Sequence, residues 1–412
     1  MTVHNTLSGA AALALIAGGA LADASCPLDE GRVSVLGNEF PAIQAVVARA
    51  AECASDVQYQ QNLTTEHKNI QVPALTANPA EYTSAVVANG TLVPLLNEGL
   101  VRPLDDLIAE HGEGVISPAQ VITVDGQAMA VAFMANAQHL FVRQDILDEV
   151  GMEVPTTYEE VLDLLEAIRE AGIMEDPFVA NTAVGWNLAE EFVNMYSGYG
   201  GEFFEPGTAN LAIDNEAGVA ALEMMAALNE YAGPDFLTYD SNATSALWAA
   251  DEAAVGILWG SRATEILGED TPEEIREATV LAAAPTVGET GIPASTLWWD
   301  GFTIASNVSD EDAEATFVAM ASGIEPAVLE GNEDAAVWLI EGFEPGKAAA
   351  GVAATAAAGA RPYPMVPYMG LLHTALGNEL SDFMQGNESA EQALADVGAA
   401  YEAAAREQGF LE

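Results

Sequence analysis

The side chains able to do chemistry here are few in kind. Six tryptophans stand at Trp186, Trp248, Trp259, Trp298, Trp299 and Trp338, among 63 Asp+Glu and only 11 Lys+Arg. Flat aromatic faces ringed by amides, carboxylates or guanidinium groups suit a polyhydroxylated solute, whose C–H faces are apolar and whose edges are polar. Trp248 and Trp338 fall on helix-like stretches and read as core. Trp298 and Trp299 are consecutive, so in a strand they point to opposite faces and cannot both enter one core. Trp186 and Trp259 are the further candidates for a binding surface. Arg361 sits between an Ala-rich stretch and Pro362-Tyr363-Pro364. It either pairs with an acid or donates its fork of hydrogen bonds to ligand oxygens.

Catalytic and metal motifs are missing from the chain. There is no G-x-S-x-G, H-E-x-x-H, Walker A or G-x-G-x-x-G sequence. The five histidines, His4, His67, His111, His139 and His373, never take ligand spacing, and two cysteines cannot build a zinc site. No metal, no cofactor and no catalytic residue is therefore expected. Two carboxylates across a cleft would make a glycosidase; with 63 acids, composition leaves that reading open.

A net charge of −52 disfavours nucleic acid and anionic membrane surfaces as partners. The acids are dispersed through amphipathic helices, as on a solvated surface suited to salty surroundings. At 412 residues the chain is long enough for two domains. Residues 7–22 are apolar and small, and Ala20-Leu21-Ala22 offers a cleavage site, so residues 1–22 read as a secretion signal even though the segment before them carries only His4. Cys26 and Cys53 then lie close together in an oxidising compartment. They form one disulfide, or Cys26 is a lipidated N-terminus behind a poor lipobox, Asp23-Ala24-Ser25.

The elements that would position these groups are of α/β type. Residues 32–36 read as a strand running into Gly37-Asn38-Glu39-Phe40, and Pro41 opens a helix with Ile43, Val46, Val47 and Ala50 on one face. Open α/β sheets bind ligands at the carboxyl ends of strands, which makes Asn38 and Glu39 a candidate ligand wall. After a strand at residues 56–60, the polar residues 61–67, Asn62 among them, either read ligand hydroxyls or form a polar cap. Residues 81–90 read as helix then strand, with Asn89-Gly90-Thr91 as a turn. Residues 127–169 are the most regular stretch: strands, a short helix closed by Gly151, then a helix capped at Pro155-Thr156-Thr157 with Val161, Leu164, Leu165 and Ile168 on one face.

Within that stretch, FVRQD, VG and PTTYEE follow one another in the order seen where family 1 extracellular solute-binding proteins of ABC importers cross between lobes. EGLVRPLDDL at residues 98–107, the Trp186–Phe192–Gly200-Gly201 spacing, TLWWDGFTIAS at residues 296–306 and NESAEQALADV at residues 387–397 also resemble this family. Two departures stand out. The G-x-P-D usually found before residue 98 is absent, and Asp251-Glu252 replaces a lysine-like position. The resemblance implies a two-lobed periplasmic-binding-protein-like (type II) fold with hinge strands. It divides the chain into lobe 1 at residues 23–133, lobe 2 at 134–298, a return to lobe 1 at 299–340, and lobe 2 with C-terminal helices at 341–412. It further implies that residues 133–138, Asn136 included, line the cleft, that Trp186 stacks on ligand, and that Trp298, Trp299 and Asp300 lie at a crossing. The implied function is capture of a carbohydrate or polyol in the periplasm by a monomer that docks on importer membrane subunits. The alternatives are a non-sugar solute such as a glycerophosphate or compatible solute, and a secreted carbohydrate-active enzyme or adhesive surface protein.

Overall fold

The computed structural model describes Cys26 and residues 28–412; the expected secretion signal lies outside the described residues. The chain builds two sheets. The first contains β1 (Arg32–Gly37), β2 (Gln58–Leu63), β3 (Ser84–Ala88), β4 (Val121–Val124) and β5 (Gln127–Asn136). The second contains β6 (Gln138–Arg143), β7 (Phe178–Ala180), β8 (Val255–Trp259) and β9 (Thr279–Ala282). The chain then returns through β10 (Thr296–Ile304) and β11 (Val337–Trp338) to the first sheet, and β12 (Arg361–Pro362) pairs with the start of β10. The strand orders are β11-β5-β10-β3-β1-β2 and β7-β8-β6-β9. β1 is parallel to both β2 and β3, whereas β10 runs antiparallel to β3 and β5.

Each sheet organises its own apolar core. The first gathers Val33, Val35, Val86, Val131 and Phe302 with the helices Pro41–Cys53 and Asp310–Gly323. In the second, alternate residues of β6 go to opposite faces, Leu140 and Val142 to one core and Phe141 to another with Trp248. Trp248 and Trp338 are both buried, donating their ring N–H groups to Thr279 Oγ1 and the Asn332 carbonyl. The long helix after the first crossing forms as its sequence directs. Gly151 takes φ 72° to end the preceding helix, and Thr157 Oγ1 accepts the Glu160 N–H at 3.1 Å to start Tyr158–Glu170.

Two strands carry the chain between the lobes side by side. β5 stays in the first sheet through Asn136, three residues beyond the expected boundary at 133, and Gln138 already belongs to the second sheet. β10 pairs Trp298 with Asn136 and Trp299 with Ala135, then shifts register at Asp300/Gly301. That bulge brings the strands so close that a Cβ on Gly301 would stand 2.4 Å from the Val131 carbonyl oxygen, so the crossing requires glycine there.

At residues 81–97 the element order departs from expectation. The strand β3 comes first, and Asn89-Gly90-Thr91 is not a turn but the opening of the helix Asn89–Asn97. Thr91 Oγ1 accepts the Ala88 N–H at 2.8 Å, and Asn89 bridges to β10 through the Leu297 carbonyl and the Trp299 N–H. Those tertiary bonds override the turn preference of Asn-Gly.

Cys26 and Cys53 are disulfide-bonded, tying the start of the described chain to the end of the first helix. Lipidation through Cys26 sulfur is incompatible with that bond. Opening a loop of sequence separation 27 by replacing both cysteines with serine is expected to lower the unfolding free energy by about 3–4 kcal/mol in urea titrations.

Candidate ligand-binding cleft

A cavity of about 540 Å³ lies between the lobes, within the range that holds small solutes. Lobe 1 supplies Asn38, Glu39 and Phe40 from the loop beyond β1, and Glu66, His67 and Lys68 from the start of the helix His67–Thr76. Lobe 2 supplies Trp186, Asp240, Trp259, Arg262, Tyr363 and His373, and the crossing strands add Asn136, Trp298 and Asp300. A second depression of about 760 Å³ is lined by residues 207–211, Tyr368, Glu402, Arg406 and the last residues of the chain, and shares no residue with this cavity.

The lobe 2 wall is a continuous aromatic cluster. Trp298 is its hub, with ring centroids 5.5 Å from Trp186, 6.0 Å from Trp259 and 4.2 Å from Tyr363. Trp186 and Trp259 lie 6.1 Å apart with planes inclined by 29°. Each ring is set by its element. Trp186 is the first residue of the helix Trp186–Gly198, and Gly185, at φ 99°, packs against Gly377 closely enough that no Cβ would fit on Gly377. Trp259 ends β8, and Trp298 lies three residues into β10.

Buried polar groups behind the wall fix these rings. Burial holds His373 neutral, its pKa drawn down to about 3. A neutral imidazole has one N–H, so Nε2 donates to the Trp186 carbonyl at 2.9 Å and Nδ1 accepts from the Tyr363 hydroxyl at 2.9 Å. Glu190, on the Trp186 helix, is fully buried; its Oε1 accepts the Trp298 ring N–H at 2.9 Å and lies 2.7 Å from Thr296 Oγ1, while Oε2 has no hydrogen-bond partner among the described residues. Burial pushes its pKa up to about 8, opposed by those hydrogen bonds and by Lys68. Glu191, also pushed up to about 8 by burial, accepts from Gln138 Nε2, and Asn194 donates to Gln138 Oε1. One helix thus holds the aromatic wall together with Gln138, which opens β6 just past the first crossing, and Thr296, which opens β10.

At the cleft floor, Asn136 Oδ1 accepts the Ala137 and Ser261 N–H groups at 3.0 and 3.1 Å, which pins the crossing to lobe 2. Asp300 is pushed up to about 7 by burial against the opposing pull of Lys68, so it can accept from a solute hydroxyl or, protonated, donate to one. Lys68 places Nζ 3.7 Å above the Trp186 ring centroid. Surrounding protein draws its pKa down to about 8, with Glu190 and Asp300 opposing. The side chain nevertheless keeps exposed surface on the cavity; water reaching it outweighs the enclosure, and the ammonium is charged at neutral pH.

Of the residues singled out from sequence, Asn38, Glu39, Asn136, Trp186, Trp259, Trp298 and Asp300 line the cavity. Three do not. Asn62 lies in β2, not in a loop, and donates to the Tyr82 hydroxyl at 3.1 Å. Trp299 turns to the opposite face from Trp298 and packs on the lobe 1 core. Arg361 resolves as the acid-paired alternative, 3.2 Å from Glu202. Lys68, Tyr363 and His373 were missed. Lys68 carried a signal, being one of two lysines in the chain; Tyr363 and His373 carried none.

Residues 42–327 match the family model for bacterial extracellular solute-binding proteins, well over half of the chain. The chain belongs to that family. This solute-binding protein is 24% identical over 201 residues to a probable sugar-binding periplasmic protein of Rhizobium meliloti, covering 47% of this chain and 48% of the relative. It thus spans about half the length of that relative. Among solved structures it resembles a ribitol-bound solute-binding protein of Agrobacterium radiobacter, with TM-score 0.79, 19% identity, and 92% and 100% of the two chains covered. It also resembles maltose-bound MalE3 of T. maritima, with TM-score 0.75, 17% identity, and 90% and 99% covered. At these identities the likeness shows a shared two-lobed α/β fold. The family is one of extracellular binding proteins rather than enzymes, and among the described residues no helix is long and apolar enough to cross a membrane.

Proposed function

We propose that this protein captures a carbohydrate or polyol between its lobes and delivers it, as a periplasmic monomer, to the membrane subunits of an ABC importer. The observation that carries this reading is the wall of Trp186, Trp259, Trp298 and Tyr363 facing Asn38, Glu39 and Asp300 across a cavity of about 540 Å³. Stacking rings take the C–H faces, and carboxylate and amide groups take the hydroxyls. A solute touching both lobes stabilises the closed form by its differential affinity, and no bond is made or broken. Relatives of the same fold carry ribitol, D-mannitol and maltose, which supports this class. A glycerophosphate fits less well, because Glu39, Glu66, Asp240 and Asp300 line the cavity with two cations, Lys68 and Arg262.

Thermal unfolding across a panel of polyols, mono- and oligosaccharides, phosphates and amines tests the reading. A member of the first two classes is expected to stabilise the protein, by about 2.7 kcal/mol at a hundredfold excess over Kd. Stabilisation only by phosphates or amines, or conversion of the stabilising compound to product, would overturn it.

A further inference from the structure

Lys68 and Trp186 belong to different lobes. Lys68 is the second residue of the helix His67–Thr76, and Trp186 opens the helix Trp186–Gly198. From its own lobe, Trp186 is packed by His373, whose centroid is 4.9 Å away, and by the rings of Trp298 and Trp259. The group that reaches it across the cleft is the Lys68 ammonium, 3.7 Å from the ring centroid. Among the described residues that ammonium has neither a hydrogen-bond partner nor a carboxylate within ion-pair distance. The other cations that face acids in this chain, such as Arg143 with Asp145 and Arg361 with Glu202, are paired. Lys68 therefore spans the cleft on a cation–π contact, supported at longer range by the Asp300 carboxyl in its ionised form.

That position cannot be shared. A solute ring stacked on Trp186 needs its carbons within about 4 Å of the indole plane, the space that Lys68 Nζ fills. We propose that Lys68 is an interlobe latch. In the empty protein its ammonium takes the stacking place on Trp186 and draws the lobes together, and a solute must displace it to bind. Lysine suits this task. Its four-carbon stem can withdraw, and an unpaired ammonium gives up one weak contact rather than a bidentate ion pair. The latch rests on the reading of the cleft as the solute site. It makes Lys68 an affinity-setting residue: a solute that covers Trp186 has to displace the ammonium, whereas one that leaves that ring uncovered does not.

Lys68→Met keeps a straight apolar side chain without the charge, and Lys68→Arg keeps a cation. By small-angle scattering without added solute, the full-length Lys68→Met protein is expected to show a larger radius of gyration than wild type, with Lys68→Arg close to wild type. With the most stabilising polyol or sugar at saturation, all three should coincide. By calorimetry, Lys68→Met is expected to bind that compound about two- to fivefold more tightly, the range of a solvent-accessible cation–π contact. Equal scattering of empty wild type and Lys68→Met would overturn the latch. So would weaker binding by Lys68→Met, which would make Lys68 a direct solute contact. The scattering comparison uses no solute, so it is decided separately from the carbohydrate reading, which fails if no polyol or sugar binds any of the three proteins.

Discussion

Trp298→Ala is expected to lose both stability and solute binding. The ring is 7% exposed and touches three other aromatic rings. Removing it leaves a cavity at the hub of the wall, which costs about 3–5 kcal/mol for a buried tryptophan. It also withdraws the N–H from Glu190 Oε1, whose partner oxygen already has no hydrogen bond among the described residues. Trp186 and Trp259 then lose the ring that both meet edge-on. Solute affinity is expected to fall by at least about 30-fold, as for an aromatic hot spot worth 2 kcal/mol or more. Urea unfolding gives the first effect and calorimetry of the folded variant the second. Trp298→Phe separates packing from hydrogen bonding: it keeps a ring but not the N–H, and should recover more stability than affinity. Unchanged affinity in Trp298→Ala would remove the aromatic wall from the binding site.

Glu190→Gln is expected to change the pH dependence of stability. The carboxyl is fully buried, and burial raises its pKa from 4.5 to about 8 in the folded protein. The folded state thus holds a proton that the unfolded state releases above about pH 4.5. The stability associated with Glu190 is fully present below that pH and is lost as pH rises toward about 8. Glutamine is neutral throughout and lacks this loss. The unfolding free energy of Glu190→Gln relative to wild type should therefore rise between pH 5 and 8, by a change on the order of 3 kcal/mol. The comparison must be between the two proteins. His67, His139 and His373, held neutral by burial, contribute the opposite slope as pH falls below 6.5, and they do so in both. Parallel pH profiles for the two proteins would show that Glu190 is ionised in the fold. Glu191, the next residue on the same helix, raised to a similar pKa and linked to Gln138 at the start of β6, gives a matched variant.

What could be read from the sequence was set by local geometry. Consecutive Trp298 and Trp299 must diverge in a strand, and they do, one into the cleft and one onto the lobe 1 core. Gly151 and Thr157 close and open helices with bonds made within a few residues. Asn38 and Glu39 follow the end of β1, where parallel strands present ligands. What could not be read was set by distant partners. Asn89-Gly90-Thr91 looks like a turn until Asn89 is held by β10, more than 200 residues away. Arg361 faces Glu202 rather than the cleft, and no local signal distinguishes the two. Glu190 and Glu191 are two of 63 acids, and only the packing of one helix beneath the aromatic wall makes them different from a solvated pair. Their neighbour Tyr363 comes from a short Pro-flanked segment without periodicity, and His373 from the buried face of the helix Met369–Met384, where nothing local separates it from a core residue.

A crystal structure of the protein grown with its most stabilising polyol or sugar tests the central claim most directly. The expected result is one solute between the lobes, a C–H face against Trp186, Trp259 or Trp298 and a hydroxyl within hydrogen-bond distance of Asp300 or Asn38. A solute bound with full occupancy elsewhere on the protein, with the interlobe cavity empty, would contradict it.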